Sequence, residues 1–384
     1  MTTARSILWI VTTQWRGQAW GGSGDPNVPT PSLDELAARG CNYRQATTPH
    51  PFGPFARAAM LTGVPCPENG VADYFDPLPS ASQTIAHDAQ QEGRETAFFG
   101  KWHLAKRDRG VPLVGEHHAR QIVPPAQRGG FGFWEGFESG FLLNDPWLHG
   151  NQLSVPTQFE GYQSDVLAER ARRWIETQRA PWFAVVSMEA PHPPYGAPAP
   201  AGVTVPEPEE LVLAANVPPD AAPRARRELA GYYAHIEATD RAIGNLVKTL
   251  QPEVIVVVTS VHGDMHGAHG KFRKGWPEEE SVRIPFVVAN APGQLAGSSS
   301  DEPISLLDLP AMTKAWLRGE DWACPREFAP LSMPSVVNFP DQCDRRWSGR
   351  RSMERKEIFG ADGSPWLAFD LKNDPWEMNN LVSS

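Results

Sequence analysis

Three short runs of apolar, mostly β-branched residues constrain the fold of this chain more than any other feature. They span residues 7–11, 183–187 and 254–259, and their lack of polar alternation is typical of strands buried on both faces. Helical patterns lie between them, at residues 33–39, 82–92, 163–177 and 223–250. Strands that alternate with helices predict an α/β fold, with a large, mostly parallel sheet flanked by helices.

The domain organisation is predicted from length and local composition. A chain of 384 residues can bury a large core. Residues 293–302 are rich in Gly and Ser, which is typical of a connection between folded units. We therefore expect a main α/β domain over residues 1–300 and a small, reduced C-terminal subdomain over residues 301–384 packed on it. Residues 197–219, rich in Pro, Ala, Val and Glu, predict an extended surface loop.

Charge and hydropathy restrict the partners and the compartment. A formal charge of −10 argues against nucleic acid or an anionic membrane as a main partner. The only apolar run near the start, residues 7–11, is shorter than the core of a signal peptide, and no later stretch could span a bilayer. The four cysteines follow no metal-binding spacing, so free thiols are expected. We expect a cytoplasmic protein, and the sequence leaves a homo-oligomer open.

Seven sequence blocks follow one another along nearly the whole chain. The chain opens with S-I-L-W-I-V-T-T-Q-W, and R-A-A-M-L-T-G, G-K-W-H-L and M-E-A-P-H-P-P-Y follow in that order. A late loop, S-V-H-G-D-M, is followed by a lysine segment, and the tail reads D-L-K-N-D-P-W-E-M-N-N-L. In this order the blocks resemble the motifs of the sulfatase family of the alkaline phosphatase superfamily, which includes arylsulfatases and phosphonate monoester hydrolases. The resemblance implies the sulfatase fold.

The chain departs from that family at three positions. The family's signature starts with a Cys or Ser that becomes formylglycine, the nucleophile; counting back four residues from Arg57 gives Gly53, or Phe52 if one residue is inserted. Thr13 and Val261 stand where the resemblance implies metal-binding aspartates. Ca²⁺ and Mg²⁺ need hard oxygen ligands that these side chains do not supply. We therefore expect a degenerate member of the family, without the nucleophile and without a divalent metal cofactor (Ca, Mg, Mn or Zn).

The basic part of the motif set is kept. The resemblance implies that six cationic or titratable residues surround the anionic group of the ester or its leaving oxygen: Arg57, Lys101, His103, His192, His262 and Lys274. Taken singly, an arginine can brace its own helix, a lysine can be solvated, and a histidine is more often structural than catalytic. Because loops beyond the carboxyl ends of parallel strands meet at one edge of the sheet, we expect the six to form one pocket.

Roles follow from the chemistry of each side chain. Arg57, Lys101 and Lys274 are predicted to bind the oxyanion of a substrate. Proton transfer is assigned to a set of four predicted catalytic residues, namely His103, His192, His262 and Lys101. Aromatic residues beside the motifs either fill the space of the lost ion or form an apolar wall for an aromatic or acyl ligand; they are Trp15, Phe52 and Phe55.

One cluster offers an alternative metal site. His262, Asp264, His266 and His269 lie within eight residues of one another, and their donor atoms suit Zn²⁺ or another transition metal. Three functions therefore stay open. The first is a sulfatase-like protein that has lost metal-dependent hydrolysis but binds an anionic small molecule for metal-free acid–base chemistry. The second is a non-catalytic binder of an anion or a partner protein. The third is a sulfuric or phosphoric ester hydrolase with a rebuilt metal site.

Overall fold

The structure, a computed structural model, describes residues 5–382 and contains one large and one small β-sheet. The strands of the large sheet, numbered along the chain, are β1 (Ile7–Thr12), β2 (Gly40–Tyr43), β3 (Glu95–Lys101), β4 (Phe133–Phe137), β5 (Trp147–Gly150), β6 (Thr157–Gln158), β7 (Trp182–Ser187), β8 (Ile255–Ser260), β9 (Phe286–Ala289) and β10 (Ser298–Ser300). The strands of the small sheet are β11 (Ala329–Met333), β12 (Trp347–Arg351), β13 (Arg355–Gly360) and β14 (Pro365–Asp370).

Five neighbouring strands form the parallel centre of the large sheet. Their order is β8-β1-β7-β3-β4, and β1 pairs in parallel with both β7 and β8. Antiparallel pairings extend this centre on both sides, through β9 on one side and β5 on the other. The three runs of apolar residues form β1, β7 and β8, and all residues of these strands are buried. The predicted α/β fold is confirmed.

Helices cover both faces of the sheet. They are α1 (Pro31–Ala38), α2 (Gly53–Thr62), α3 (Ile85–Gln91), α4 (Glu116–Ala119), α5 (Gln163–Thr177), α6 (Ala222–Val247), α7 (Glu279–Val282) and α8 (Leu309–Leu317). Alternate residues of β1 enter opposite cores: Trp9 joins one apolar cluster and Leu8 the other. Both β1 side chains are fully buried, so the sheet is sealed on its two faces. The long helix α6 packs against α5 over the core that contains Leu8.

The region after residue 292 differs from the expected linker. Residues 298–300 form β10, which pairs in parallel with β2, so part of the Gly/Ser-rich stretch belongs to the large sheet. The small serine side chains of residues 298–300 leave the backbone free to pair at the sheet edge. Helix α8 then packs against α2 and α3, and the antiparallel small sheet begins only at Ala329. The division of domains at residue 300 stays a prediction.

The predictions for the Pro-rich loop, for membrane spans and for the cysteines can be compared with the structure. The loop over residues 197–219 contains one short 3-10 turn, Pro208–Glu210. None of the helices within residues 5–382 has the length and apolar character that crossing a bilayer requires. The cysteines are free thiols, as expected from their spacing.

Candidate active site

The carboxyl ends of four adjacent strands meet at one cavity of about 330 Å³. Strand β3 ends at Lys101, and His103 follows it; His192 lies beyond β7 and His262 beyond β8. Lys274 lies in the long loop that follows β8. Gly53, the first residue of helix α2, lies at the same edge of the sheet. Five of the six predicted basic residues therefore line one cavity: Lys101, His103, His192, His262 and Lys274.

Lys101 is paired with a carboxylate. Its ammonium forms a buried ion pair with Glu189, which lies two residues beyond the end of β7. Lys101 is 1 % exposed and Glu189 is fully buried. Burial lowers the pKa of Lys101 to about 8, although Glu189 acts in the opposite direction. Glu189 belongs to the motif M-E-A-P-H-P-P-Y but was not a predicted site residue, because only the pairing of β3 with β7 brings it beside Lys101.

Lys274 has neutral partners instead. Its Nζ donates to Gln14 Oε1 at 2.5 Å and lies 3.2 Å from His192 Nε2. The side chain is 7 % exposed, and among the residues that the structure describes it has no carboxylate partner. Burial lowers the pKa of Lys274 to about 7, and the nearby Lys101 also lowers it, whereas Asp264 raises it.

Two histidines have a defined tautomer. His192 Nδ1 lies 2.7 Å from Pro193 O, and His262 Nδ1 lies 2.9 Å from Gly263 O. Because a carbonyl oxygen only accepts, each Nδ1 carries the proton, and each neutral ring has its lone pair on Nε2. His192 Nε2 faces Lys274, whereas His262 Nε2 has no hydrogen-bond partner within residues 5–382. Burial and the neighbouring lysines hold the pKa of both histidines well below the usual value.

His103 lies against the start of helix α2. Its Nε2 is 3.3 Å from the Tyr74 hydroxyl, and its Nδ1 has no partner in the described part of the chain. A Cβ atom at Gly53 would lie 2.9 Å from this Nδ1. His103 has a φ of 60°, a left-handed conformation that is unfavourable for a residue with a side chain. Burial, and then Arg107 and Lys101, keep the pKa of His103 well below its usual value.

The walls of the cavity are mainly aromatic. They are formed by Phe52, Tyr74, Phe141 and Phe339. The Phe141 ring stacks on His192 with 4.5 Å between the ring centroids, and it also lies under the Lys101 ammonium at 4.7 Å. The Phe52 ring lies 5.4 Å from Lys274 Nζ. Phe141 and Phe339 come from loops without a recognisable motif, so no sequence pattern indicated them.

Three predicted ligand-binding residues lie outside the cavity. Arg57 is buried beneath it and donates to Ser187 Oγ at 2.5 Å and to Thr13 Oγ1 at 2.8 Å, so it braces the strand ends. Trp15 is fully buried and donates from Nε1 to Ala19 O, within the core. Phe55, a buried residue of α2, packs against Phe52 and His50. Arg57, Trp15 and Phe55 therefore lie near the cavity but do not line it, and their contact with a ligand stays a prediction.

The alternative metal set is not assembled. His262 lines the cavity, and the His266 ring packs on Tyr232. His269 lies elsewhere, close to Glu280 and Glu377, where other side chains already bind the donor atoms. Asp264 and His266 stay close, with 4.0 Å between Oδ1 and Nε2, but His262 and His269 lie at two other places, so the four residues do not converge on one point.

Asp264 instead supports the cavity floor. It accepts a hydrogen bond from the Tyr195 hydroxyl at 2.5 Å and another from the Gln14 amide. Burial raises the pKa of Asp264, but His266 and Arg273 outweigh it and keep that pKa below the usual value. Gln14 thereby connects the Asp264 carboxylate to the Lys274 ammonium. Gln14 was not among the predicted site residues, although it directly follows Thr13.

Comparisons with known proteins agree with the fold and the motifs. The family model described as Sulfatase matches residues 5–318. An ulvan-active sulfatase of Formosa agariphila is 32% identical over 410 residues, which cover 99% of this chain and 77% of that protein. A choline-sulfatase of Rhizobium meliloti is 24% identical, over 100% of this chain and 84% of its own length. The phosphonate monoester hydrolase of Agrobacterium radiobacter superposes with a TM-score of 0.75 at 20% identity, covering 98% of this chain and 91% of the other.

Proposed function

This chain belongs to the sulfatase family, and from that membership we propose that its cavity binds a small anionic molecule for acid–base chemistry that needs no metal. The anionic group would be a sulfate, a phosphate or a carboxylate. Relatives of this chain are named for sulfated substrates, such as the ulvan-active sulfatase and the choline-sulfatase, which supports an anionic ligand here.

The buried Lys274 ammonium carries the proposal. A buried charge is costly unless an opposite charge or several hydrogen bonds compensate it. Lys274 has two neutral partners, and its pKa is lowered to about 7. An anion in the cavity would supply the missing countercharge and restore the ammonium form. Lys101 and Arg273 line the same cavity, but each is already ion-paired with a carboxylate, Glu189 or Glu228.

The donor atoms present do not suit the divalent cation of the family. Gly53 and Val261 offer no side-chain ligand, and the Thr13 hydroxyl already donates to Met188 O and accepts from Arg57. The resemblance assigns metal ligands to four positions. Within residues 5–382, His262 is the one of them with a side-chain atom, Nε2, that has no hydrogen-bond partner and could bind a metal. A guanidinium beside Thr13 also opposes a cation. This donor set supports a site that works without a metal, and no step is assigned to one.

The histidines supply the proton-transfer groups. His262 Nε2 has a free lone pair in the cavity and is suited to accept a proton from a bound molecule. His103 and the Tyr74 hydroxyl form a second pair that can pass a proton. An anion bound by the lysines raises the pKa of both imidazoles toward neutrality, because it stabilises their protonated forms. Lys101 and Lys274 then stabilise negative charge that develops on the bound molecule.

Binding and turnover can be measured separately. Calorimetry of the full chain with sulfate, phosphate and 4-nitrophenyl sulfate should show saturable binding of at least one of them. Lys274→Met should weaken that binding about 10- to 100-fold, since a hydrogen bond to a charged group contributes about 1.5–3 kcal/mol. Lys106→Met, at an exposed lysine of the same segment as His103, is the matched control.

Mass spectrometry after long incubation then decides between catalysis and binding. A converted ligand, lost in His262→Ala, supports acid–base chemistry. If the ligand binds but is not converted, the result favours the alternative function, a non-catalytic anion-binding protein. If no anion binds saturably, or if Lys274→Met binds as the wild type does, the proposal is wrong.

A further inference from the structure

The two lysines of the cavity are chemically different. Lys101 has a carboxylate partner, Glu189, whereas Lys274 Nζ contacts Gln14 Oε1 and His192 Nε2, both uncharged. Lys274 lies over the face of Phe52, with Nζ 5.4 Å from the ring centroid, and the residue is 7 % exposed. An amine held in an apolar cavity without a carboxylate is a setting that activates lysine as a nucleophile.

A proton acceptor is in contact with the same amine. His192 donates its Nδ1 proton to Pro193 O, so its Nε2 lone pair faces Lys274 Nζ at 3.2 Å. The pKa of Lys274 is lowered to about 7 by burial first, with Lys101 and Arg273 acting in the same direction and Asp264 and Glu189 in the opposite one. The neutral, nucleophilic form of this amine is therefore far more populated at pH 7 than that of an ordinary lysine, which is almost entirely protonated.

We propose that Lys274 is a nucleophile that forms an imine with an aldehyde or ketone that also carries an anionic group. The proposal rests on the proposed function, because Lys101 and Arg273, which are ion-paired with Glu189 and Glu228, are taken to bind the anionic group in the same cavity as well. Carboxylate, sulfate and phosphate share the chemistry that these cations recognise. The aromatic walls and the volume of about 330 Å³ suit a planar aromatic or short acyl carbonyl compound.

The reaction balances without a redox partner. The Lys274 ammonium gives one proton to His192 Nε2, and the freed lone pair on Nζ attacks the carbonyl carbon. A C–N bond forms, the carbonyl π bond breaks, and one of the two protons that remain on Nζ moves to the oxygen, which gives a neutral carbinolamine. His192 returns its proton to the resulting hydroxyl group, which leaves as water as the C–O bond breaks. The products are a protonated imine and one water molecule, with no net change in charge.

Reductive trapping tests the assignment. The full-length chain is incubated at pH 7 with glyoxylate, with 4-formylbenzoate or with pyridoxal 5′-phosphate, each with sodium cyanoborohydride, and adducts are mapped by peptide mass spectrometry. We expect one adduct per chain, on Lys274, formed at least tenfold faster than labelling of the exposed Lys106. Lys274→Met and Lys274→Arg should abolish this fast adduct, whereas Lys106→Arg should leave it unchanged. Circular dichroism of each variant confirms that it is folded.

A non-reactive analogue separates this proposal from the one on which it rests. 4-Methylbenzoate has the anionic group of 4-formylbenzoate but no carbonyl carbon that an amine attacks. If it binds saturably and Lys274 gains no adduct with any of the three probes, the imine is refuted and anion binding stands. If neither binding nor labelling occurs, both proposals fail. Even labelling of the exposed lysines, without preference for Lys274, also refutes the nucleophile.

Discussion

A Cβ atom at Gly53 would lie 2.9 Å from Nδ1 of His103, so the first residue of helix α2 and the histidine after β3 leave no room for a side chain between them. We expect Gly53→Ala to displace His103 and to weaken its contact with Tyr74. Overpacking of this kind costs about 1–3 kcal/mol of unfolding free energy. Urea denaturation measures the cost, and calorimetry measures the accompanying loss of anion affinity.

Gly196→Ala is the matched control for this substitution. A Cβ atom at Gly196 would have no neighbour within 4 Å. Its unfolding free energy and anion affinity should stay at the wild-type values. A Gly53→Ala protein with unchanged stability and affinity would contradict the assigned contact.

The titration of Lys274 should appear in the pH dependence of stability. Its folded-state pKa is about 7, below its ordinary value of 10.5, so between these pH values the unfolded chain binds a proton that the folded chain lacks. Stability therefore rises with pH through this window, by up to about 1.4 kcal/mol per pH unit from this group alone. Below pH 7 Lys274 is protonated in both the folded and the unfolded chain, and its contribution to the unfolding free energy stays at its minimum.

Lys274→Met removes that contribution. Urea midpoints of wild type and Lys274→Met, measured from pH 7 to pH 9, should converge as the pH rises, and the variant should be the more stable protein at pH 7. The comparison holds the neighbouring charges constant, namely Asp264, Lys101, Arg273 and Glu189. A constant difference across this range would show that Lys274 stays protonated.

Arg57 should behave as a structural residue. Its guanidinium donates to Ser187 Oγ, Thr13 Oγ1 and Lys101 O, all beneath the cavity. Arg57→Met leaves these buried acceptors without their donor, which predicts a loss of about 3 kcal/mol in unfolding free energy. Thermal unfolding checks the loss. A stable Arg57→Met protein that has lost only anion affinity would instead place Arg57 in contact with the ligand.

Anion affinity should fall as the pH rises. In the proposed site the protonated form of Lys274 binds the anion, and this form is lost above about pH 7 in the free protein. Binding of sulfate should therefore take up protons, with affinity falling by up to about tenfold per pH unit between pH 7 and pH 9. Calorimetry in two buffers of different ionisation enthalpy measures the proton uptake. Lys274→Met should show no such uptake in this range.

Added metal should have little effect on the folded protein. Thr13 and Val261 supply no carboxylate, so Ca²⁺, Mg²⁺ or Mn²⁺ at millimolar concentration should leave the melting temperature unchanged. Treatment with a chelator should likewise leave anion binding unchanged. A rise in melting temperature that saturates with one of these ions would favour a metal-dependent site.

The sequence predicted the centre of the fold because its strands are apolar throughout. Residues 7–11, 183–187 and 254–259 read as buried strands without knowledge of their neighbours. Strand β3 was not predicted, since Glu95, Thr96 and Gly100 interrupt its apolar run. The strand β10 was missed for a similar reason, because three serines carry no hydrophobic signal.

The motifs located the basic residues of the cavity but not the direction of each side chain. Helix α2 turns Arg57 beneath the strand ends, whereas β3 ends with Lys101 in the cavity. Glu189 and Gln14 depend on pairings between strands that are remote in sequence, which a single chain does not reveal. The cavity walls come from loops, where contact and not periodicity decides the role of a residue.

One part of the cavity is built independently of the large sheet. Phe339, Pro340 and Gln342 lie between β11 and β12, and Gln342 Oε1 accepts a hydrogen bond from the Lys274 backbone at 3.2 Å. Exchanges within this segment can reshape the entrance without disturbing the strands that position the charged groups. A library of variants confined to residues 334–346 would therefore test whether this segment sets ligand preference while the strand-end residues stay in place.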